Sequence, residues 1–332
     1  MANDTIQQNK KVVWEFWQQM NDGQPKDVAS IGKSFVAENI SWHGPHPSND
    51  LRGVDSVIEG FWRPFRAGFP DLRRRCDLLI GGHEHWVGAI GYFEGTFRED
   101  WLGIPATGRP TQIRYGEFSA VYDGKIILTY IILDILDVMR QAGYDDLILP
   151  SLGSEGVVPG PASGDGVFFD KKDDAEGATT LRTAKIMCSV LNRPECRGYW
   201  TEDMKWYGPS GIGTTVGYDD FDARHQSPFD HAFPSYGGTF GVHVVDVGEG
   251  NFAGWVGWPS IRATHTGTYL GVPPTGGIVE WRLMDFYRRQ GDLIIENWVP
   301  VDMLHLFNCM GVDIMSKLAS EVARRKTAAQ PN

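Results

Sequence analysis

The amino-acid sequence predicts an α+β protein in which one structural unit occurs twice. Two observations support this prediction: each half of the chain reads as helices followed by strands, and short motifs of the first half return in the second. Helices that precede a run of hairpin-linked strands are typical of α+β domains, in which the helices pack on one face of an antiparallel sheet. A chain of 332 residues is long enough for two such domains, each with its own core.

The elements of the first unit follow from apolar periodicity and from turn residues. Val13, Phe16 and Trp17 recur at the spacing of a helix, whereas the later apolar segments are short and bounded by glycine or proline. The Asp123-Gly124 step is a signal for a hairpin between the last two strands. The predicted helices cover 6–20, 27–37, 54–68 and 134–142, and the predicted strands cover 40–43, 73–80, 86–97, 111–122 and 126–133.

The second half repeats the first at a nearly constant distance. Trp42-His43-Gly44-Pro45 returns as Trp206-Tyr207-Gly208-Pro209, 164 residues further along the chain (206 − 42). The pairs that keep an offset of 168 residues are Arg114 and Arg282, Glu117 and Asp285, and Asp134 and Asp302. A repeat of this length indicates a duplicated domain rather than a solenoid.

Composition marks the boundary between the two units. Residues 145–177 are rich in glycine and proline and then become charged, which is typical of a linker. The predicted first domain therefore covers 1–144 and the predicted second domain covers 178–320. We expect residues 321–332 to form a disordered tail.

Charge and cysteine content limit the partners and the location of the protein. A net charge of −11 argues against nucleic acid or an anionic membrane as a partner. The four cysteines form no CxxC motif, so neither a zinc site nor a redox pair is predicted, and reduced thiols in the cytoplasm are expected. The first residues lack the apolar segment of a secretory signal, and no apolar run reaches the length of a membrane span.

His83-Glu84-His85 resembles a metal-binding cluster at first sight. On a strand His83 and His85 share one face while Glu84 faces away, and two ligands are too few for zinc. Because Gly81-Gly82 directly precede them, a turn is the favoured interpretation. The sequence therefore predicts no metal site.

Asp134 and Asp302 are the most prominent candidates for a functional role. Each ends a long apolar segment, where a buried charge is costly, directly before a predicted helix. One interpretation is structural, because aspartate is a preferred N-cap and its charge is favourable at the positive end of the helix dipole. The other is a buried carboxyl with a raised pKa that takes and returns a proton. The residues alone leave both interpretations open.

A set of short motifs in both halves is characteristic of one protein family. In the first half the motifs are Trp42-His43-Gly44-Pro45, Ala67-Gly68-Phe69-Pro70-Asp71, Gly103-Ile104-Pro105-Ala106-Thr107-Gly108, Asp123-Gly124-Lys125-Ile126 and the stretch 134–143. In the second half they are Thr264-His265-Thr266-Gly267, Gly271-Val272-Pro273-Pro274-Thr275-Gly276, Asp285-Phe286-Tyr287-Arg288 and the stretch around Asp302. On these motifs each half resembles the SnoaL-like polyketide cyclases, which belong to the NTF2-like superfamily.

The resemblance implies a fold and a chemistry. Each unit is expected to be an NTF2-like (cystatin-like) α+β cone, a curved antiparallel sheet with helices packed in its concave face. The family's cyclases close a ring by intramolecular aldol condensation without a metal or an organic cofactor. The acid at the end of the last strand, here Asp134 and Asp302, acts as general acid and base. Family members commonly pair through the outer sheet face, which implies an internal pseudo-dimer of the two domains and leaves a further homo-oligomer open.

Other residues are candidates for an apolar, aromatic-lined pocket. His43 follows Trp42 on a strand, so one of the two faces the pocket, and His265 lies between two threonines on another strand. A histidine there would hydrogen-bond the substrate carbonyl or the developing enolate, with a purely structural histidine as the alternative. The remaining candidates for the pocket wall are Trp42, Trp206, Tyr207, Tyr130, Trp298, Arg114 and Arg282. For the two arginines, ion pairs with Glu117 and Asp285 are the favoured interpretation.

The residues and the resemblance together predict a cofactor-independent cyclase or isomerase that acts on a polyketide-like or other apolar keto substrate. If one unit alone is active, we expect it to be the first, around Asp134. A non-catalytic module that binds an apolar small molecule is one alternative. An epoxide-hydrolase-like enzyme is another, and it requires an aspartate, a water and an arginine or asparagine in the pocket. Arg114 and Asn297 are the residues that would supply the last of these.

Overall fold

The structure is a computed structural model that describes residues 2–236 and 242–329. It consists of two units of the same α+β architecture, each with helices packed on the inner face of a six-stranded sheet. The elements of the first unit are α1 (Ala2–Asp22), α2 (Val28–Phe35), β1 (Val36–His43), β2 (Asp50–Arg52), α3 (Val54–Val57), a π-helical turn (Ile58–Trp62), α4 (Arg63–Gly68), β3 (Arg73–Gly82), β4 (Trp86–Thr96), β5 (Pro110–Tyr122), β6 (Lys125–Leu133) and α5 (Ile135–Gln141).

The second unit repeats this order, except that it has no counterpart of α2 and ends with one additional helix. Its elements are α6 (Asp174–Cys188), β7 (Trp200–Tyr207), β8 (Thr214–Val216), α7 (Tyr218–Phe221), a π-helical turn (Asp222–Gln226), α8 (Ser227–Ala232), β9 (Val245–Glu249), β10 (Phe252–Thr264), β11 (Ile278–Gln290), β12 (Leu293–Trp298), α9 (Met303–Cys309) and α10 (Ile314–Ala328). The predicted strands of the first half are all present, and the short strands β2 and β8 were not predicted.

Both sheets are mixed, which refines the predicted antiparallel sheet. Their strand orders are β2-β1-β6-β5-β4-β3 and β8-β7-β12-β11-β10-β9. β1 runs parallel to β6 and β7 runs parallel to β12, whereas the other neighbouring strands pair antiparallel. Strands joined by a tight hairpin must be antiparallel, but helices and four strands separate β1 from β6, so this pair is free to run parallel.

The helices cover the inner face of each sheet because their apolar residues lie on one side. In α1, Val13, Phe16 and Trp17 are buried at helical spacing. Trp17 reaches strand β5, where its ring centroid lies 6.4 Å from that of Tyr115. The inner faces and their helices form the larger of two apolar cores. A pocket within either unit must therefore form between these helices and the sheet.

The outer faces of the two sheets pack against one another and form the second apolar core. Within it the rings of Phe118 and Phe286 stack with their centroids 5.1 Å apart. These residues hold the same position in their units (286 − 118 gives the offset of 168), so the packing has the symmetry of a dimer. Gly116 approaches the opposite unit closely, since a Cβ there would lie 2.6 Å from Cγ of Pro300. The duplicated units therefore form an internal pseudo-dimer.

A buried ion pair joins the first helix to the second sheet. Nζ of Lys10 lies 3.0 Å from Oε2 of Glu249 in β9, and neither side chain is more than 6% exposed. The same carboxylate accepts from the backbone N–H of Gly81 at 2.8 Å and from the amide of Gln7 at 2.6 Å. Because loss of one partner would leave an unpaired buried charge, removing either Lys10 or Glu249 is expected to destabilise this contact between the units.

Helix α6 begins inside the predicted linker, at Asp174 rather than after residue 177. The reason is a cap: the side chain of Asp173 accepts from the backbone N–H of Ala175 at 2.9 Å. The preceding part of the linker is attached to the sheets, because the backbone N–H of Val158 donates to the hydroxyl of Tyr92 at 2.7 Å.

The tail predicted to be disordered from residue 321 is helical, since α10 continues to Ala328. Arg325 explains this difference, because its guanidinium lies 4.2 Å from the ring centroid of Tyr144 and pairs with Glu321. The helix is thereby held against the end of the first unit. Residues 330–332 of the predicted tail lie outside the described residues.

Truncation of one ring of the outer-face stack tests the packing of the two sheets. Phe286→Ala is expected to lower the free energy of unfolding by about 3–5 kcal/mol, because it leaves a cavity between the sheets. Since Phe118 then lacks its partner, adding Phe118→Ala should cost less than that change costs alone. Urea unfolding measures both effects.

Tyr122→Ala is the control. Tyr122 is on strand β5, as is Phe118, and is 60% exposed. It should change the free energy of unfolding by less than about 0.5 kcal/mol. Strictly additive losses for Phe118 and Phe286 would show that the two rings do not stabilise one another.

Candidate active site

The inner side of the second unit contains a cavity of about 100 Å³. Its walls are mainly apolar and include Trp206, Phe229 and Trp281. The polar side chains of the wall include His225, Gln226, Ser260, Asp285, Tyr287 and Asn297. An apolar cavity with a few convergent polar groups is the usual form of a small-molecule site.

Asp285 lies on strand β11 and presents its carboxylate to this cavity. Oδ2 accepts from Nε1 of Trp255 at 2.8 Å, and Oδ1 accepts from the hydroxyl of Tyr287 at 3.1 Å and from Nδ2 of Asn297 at 3.4 Å. Trp255 is directly opposite Asp285 on β10, and Asn297 is directly opposite Tyr287 on β12. Three adjacent strands thus hold one carboxylate with neutral donors.

The environment of Asp285 favours proton exchange near neutral pH. Burial raises the pKa of Asp285 to about 6, and the hydrogen bonds from its three neutral donors only partly oppose this shift. The wall histidines are uncharged, because burial lowers the pKa of His225 to about 3 and that of His243 to about 4. Among the described residues no cation forms an ion pair with Asp285, so its charge is held by dipoles alone.

The first unit carries Glu117 where the second carries Asp285, but there a cation neutralises the carboxylate. Nη1 of Arg74 lies 2.8 Å from Oε2 of Glu117, and both side chains are almost fully buried. The guanidinium also lies 4.4 Å from the ring centroids of Trp17 and Phe93, so it occupies the interior of the unit. The space left beside Arg74 is about 10 Å³. The first unit is therefore filled where the second is open.

The hydrogen-bond donors around Asp285 are also specific to the second unit. Strand pairing aligns Trp255, Tyr287 and Asn297 with Ala89, Ser119 and Thr129 of the first unit. Ser119 donates to Glu117 at 2.9 Å and lies 3.0 Å from the hydroxyl of Thr129. The hydroxyl groups of these short side chains form their hydrogen bonds within the core. The longer donors of the second unit instead surround a carboxylate at the edge of open space.

Asp134 lies at the junction of the two units and not in the wall of the cavity. Oδ1 accepts from the backbone N–H of Asp137 at 3.2 Å, which makes Asp134 the N-cap of α5. Oδ2 accepts from the backbone N–H of Ser210, in the second unit, at 2.8 Å. Burial, together with the neighbouring charge of Asp137, raises the pKa of Asp134.

Asp302 makes the reciprocal contact from the second unit to the first. Oδ1 accepts from the backbone N–H of His305 at 3.1 Å and caps α9, and Oδ2 accepts from the backbone N–H of His46 at 3.0 Å. Arg282 donates to the same oxygen at 3.4 Å. Burial raises the pKa of Asp302 to about 6. The geometry of both acids is that of a helix cap that also binds a loop of the opposite unit, and their catalytic role stays a prediction.

Four of the residues predicted to lie at the pocket are on the outer sheet faces instead. His43 stacks on Tyr130 with centroids 4.5 Å apart, and Tyr207 stacks on Trp298 at 5.5 Å. Tyr130, Tyr207 and Trp298 belong to the core between the sheets. Nδ1 of His43 lies 2.8 Å from a carboxylate oxygen of Asp50. These aromatic residues therefore stabilise the pseudo-dimer rather than line the cavity.

Strand alternation turns the two tryptophans of the repeated motif to the inner face. Trp206 lines the cavity of the second unit. Trp42 packs against Phe61 in the filled first unit, with ring centroids 4.7 Å apart. Of the predicted wall residues, Trp206 is the one that the cavity contains.

The remaining candidates lie outside the cavity wall. His265 is fully buried, stacks on Phe233 at 5.2 Å, and has Nδ1 3.2 Å from the hydroxyl of Thr275. Burial lowers the pKa of His265. Two arginines predicted to line the pocket or to pair with Glu117 and Asp285 do neither. Arg114 donates to the carbonyls of Tyr207 and Gly208, and Arg282 donates to Asn49 and Asp302.

Strand alternation in the sequence already indicates that Asp285 does not pair with Arg282, although that ion pair was the favoured interpretation. Arg282 and Asp285 are three residues apart on a strand, so their side chains point to opposite faces and cannot meet. Arg282 accordingly lies at the junction and Asp285 faces the cavity. Asp285 and Tyr287 are two apart and share a face.

The described ranges 2–236 and 242–329 contain neither a cluster of metal ligands nor a membrane-spanning helix. No cluster of three or more histidine, cysteine or acidic side chains there is arranged to hold a metal ion. Within the same ranges no helix combines the length and the apolar character that crossing a membrane requires.

Comparison with known families agrees with this architecture. Residues 11–142 and 182–308 each match the family model of the SnoaL-like polyketide cyclases. These two segments comprise most of the chain, which therefore belongs to the SnoaL-like polyketide cyclase family as a tandem pair of its domains. No protein with curated annotation matches the sequence.

Similar solved structures cover one unit of the chain. IdmH from Streptomyces antibioticus, provisionally named a polyketide cyclase, is 21% identical, with 41% of this chain and 98% of that chain covered and a TM-score of 0.36. TsrD from Streptomyces laurentii is 22% identical, with 41% and 96% covered and a TM-score of 0.35. A provisionally named SnoaL-like polyketide cyclase from Jannaschia sp. CCS1 is 16% identical, with 41% and 91% covered and a TM-score of 0.36.

The raised pKa of Asp302 predicts a pH dependence of stability. The folded protein binds this proton more tightly than the unfolded chain, so ionisation of Asp302 lowers the free energy of unfolding as pH rises from about 4 to about 6. Asp302→Asn cannot ionise. The free energy of unfolding of the wild type, minus that of the variant, should therefore fall by up to about 3 kcal/mol as pH rises across this range. Urea unfolding at several pH values measures this difference.

Asp313→Asn is the control, at the cap of the next helix. Hydrogen bonds from Ser316 lower the pKa of Asp313, so its contribution to stability is lost as pH falls, which is the opposite sign. A wild-type to Asp302→Asn difference that stays constant with pH would contradict the assigned ionisation.

Proposed function

We propose that the second unit is a cofactor-independent cyclase or isomerase for a polyketide-like or other apolar keto substrate, with Asp285 as its general acid and base. The observation that carries this proposal is a partly buried carboxyl, with a pKa raised to about 6 and no cationic partner among the described residues, in the wall of a mainly apolar cavity of about 100 Å³. A base with such a pKa is about half ionised near pH 6 and both takes and returns a proton readily.

The proposed reaction is an intramolecular aldol closure. The carboxylate of Asp285 removes a proton from the carbon next to one ketone, and the resulting enolate carbon attacks the carbon of a second carbonyl group. A carbon–carbon bond forms, the second carbonyl oxygen becomes an alkoxide, and the proton returns from Asp285 to that oxygen. Atoms and charge balance without any further reactant. In an isomerisation no carbon–carbon bond forms, and Asp285 returns the proton to a different carbon of the enolate.

The groups around Asp285 support both of its protonation states. Trp255, Tyr287 and Asn297 stabilise the carboxylate by donating to it, without adding a charge that would hold it ionised. The mainly apolar walls of the cavity suit an apolar substrate chain. Because the first unit is filled by Arg74, the proposal moves the active site from the first unit, where we expected it, to the second.

The two alternatives differ from this proposal in what the cavity must contain. A non-catalytic binding module would need the cavity but not the carboxyl, so it is separated from the cyclase by the outcome at Asp285. An epoxide-hydrolase-like enzyme was expected to use Arg114 or Asn297. Arg114 lies at the junction, and Asn297 donates to Asp285 and to the carbonyl of Phe286. The hydrolase would therefore lack the arginine and share its asparagine with the carboxylate.

Ring closure of 1-phenylhexane-1,5-dione tests the proposed function. This diketone closes to a hydroxy-phenylcyclohexanone, which then loses one water molecule to give a phenyl-substituted cyclohexenone whose conjugated carbonyl absorbs in the ultraviolet. Asp285→Asn should reduce the rate by about 10²–10⁴-fold, the usual contribution of a general base. The kcat/KM of the wild type should rise with pH, reach half its maximum near pH 6 and level off above it, because the ionised carboxyl is the base.

Glu117→Gln is the matched control, since residue 117 holds the same position in the first unit. The amide oxygen of the glutamine can accept from Arg74 while its NH2 group donates to the hydroxyl of Ser119, and turnover should remain that of the wild type in a folded protein. Equal turnover in wild type and folded Asp285→Asn would overturn the proposal. Retained binding of the diketone without any product would favour the binding module.

A further inference from the structure

We infer that His225 is a second catalytic residue of the same cavity, which donates a hydrogen bond from Nε2 to the substrate carbonyl oxygen that becomes the enolate. The inference rests on the proposed function in treating this cavity as the substrate site. It goes further by assigning a residue on the helical side, opposite the sheet that carries Asp285.

The position of His225 is built into the wall by stacking. It is the fourth residue of the π-helical turn Asp222–Gln226. Its ring lies on Trp206 with centroids 3.8 Å apart and an interplanar angle of 19°, which fixes the imidazole plane. Wide helical turns of this kind occur frequently at functional sites because they redirect a side chain out of the regular helix.

The hydrogen-bonding state of the ring leaves one donor for a ligand. Nδ1 of His225 is sealed from solvent and has no partner among the described residues. If Nδ1 carried the proton, a buried N–H donor would be unsatisfied, so the neutral ring places its proton on Nε2. Nε2 forms no hydrogen bond within the described ranges, and the ring is part of the cavity wall, so its N–H is available to a ligand there.

Burial keeps this donor neutral. It lowers the pKa of His225 to about 3, so the imidazole is uncharged over the range in which Asp285 ionises. A neutral imidazole N–H stabilises the charge that develops on an enolate oxygen and does not protonate it fully, which suits a reaction in which the enolate must attack. Asp285 and His225 thus act on different atoms, the former on a carbon-bound proton and the latter on the oxygen.

The first unit supports the assignment by contrast. Its own π-helical turn, Ile58–Trp62, has Phe61 in the fourth position. Phe61 packs against Trp42 with an interplanar angle of 43°, and His225 stacks on Trp206 at 19°. An aromatic ring is what the packing of this position requires, since phenylalanine satisfies it in the filled unit. The nitrogen atoms of His225 are an addition found in the open unit.

His225→Phe tests the inference, because the first unit shows that phenylalanine packs at this position. The probes are 2-naphthol, which carries an enol-like oxygen on a flat ring system, and naphthalene, which has none. In the wild type 2-naphthol should bind more tightly, and His225→Phe should reduce the ratio of the two dissociation constants about 5–10-fold, as expected for one hydrogen bond. His225→Gln, which keeps an N–H donor, should restore part of the ratio.

The matched control is His231→Phe, at an exposed histidine on α8, which should leave the ratio unchanged. In the ring-closure assay His225→Phe should lower kcat by about 10²-fold. Ligand binding separates this inference from the proposed function: a wild type without turnover would remove the proposed function, while the affinity ratio still reports on His225. A ratio that His225→Phe leaves unchanged, or a wild type that does not distinguish the two probes, would overturn the assignment.

Discussion

The contact between the outer faces of the two sheets is the constraint on which the rest of the molecule depends. Each sheet has apolar residues on both faces, so neither unit can expose its outer face to water. Once those faces are joined, the ends of β6 and β12 come to lie at the junction. Asp134 and Asp302 there bind the backbone of the opposite unit, at Ser210 and His46. The two acids that mark the ends of the long apolar segments thus connect the units.

The inner faces are not subject to this mutual constraint and have diverged. In the first unit Arg74 and Glu117 neutralise each other among aromatic rings and fill the interior. In the second, Asp285 is held by neutral donors beside open space. A buried carboxylate with a cation at hydrogen-bonding distance contributes to structure, whereas one without a cation retains a proton affinity near neutrality and is available for chemistry.

Fold and duplication were accessible from the sequence because they depend on local patterns. Periodicity located the helices and strands of the first unit, and the recurring Trp-His-Gly-Pro element and its partners revealed the second. Which interior is open was not accessible in the same way, because it depends on Arg74 reaching Glu117 across 43 residues of chain. His43 and Tyr130 were likewise assigned to the pocket because the direction of a strand's faces cannot be set without knowing which face the helices cover. Alternation alone would have separated Trp206 from Tyr207, which were both assigned to the pocket, and it would have separated Arg282 from Asp285.

The covalent fusion of the two units has a consequence for how the molecule can evolve. In a symmetric pair of identical chains, any substitution that fills or opens one interior does the same to the other, so an arrangement with one filled and one open half is inaccessible. Here the two halves have separate sequences and can change independently. Every chain contains one filled half and one open half. The half packed with Arg74 can act as a permanent scaffold subunit, and the half with Asp285 is free to change its cavity without altering its partner's interior.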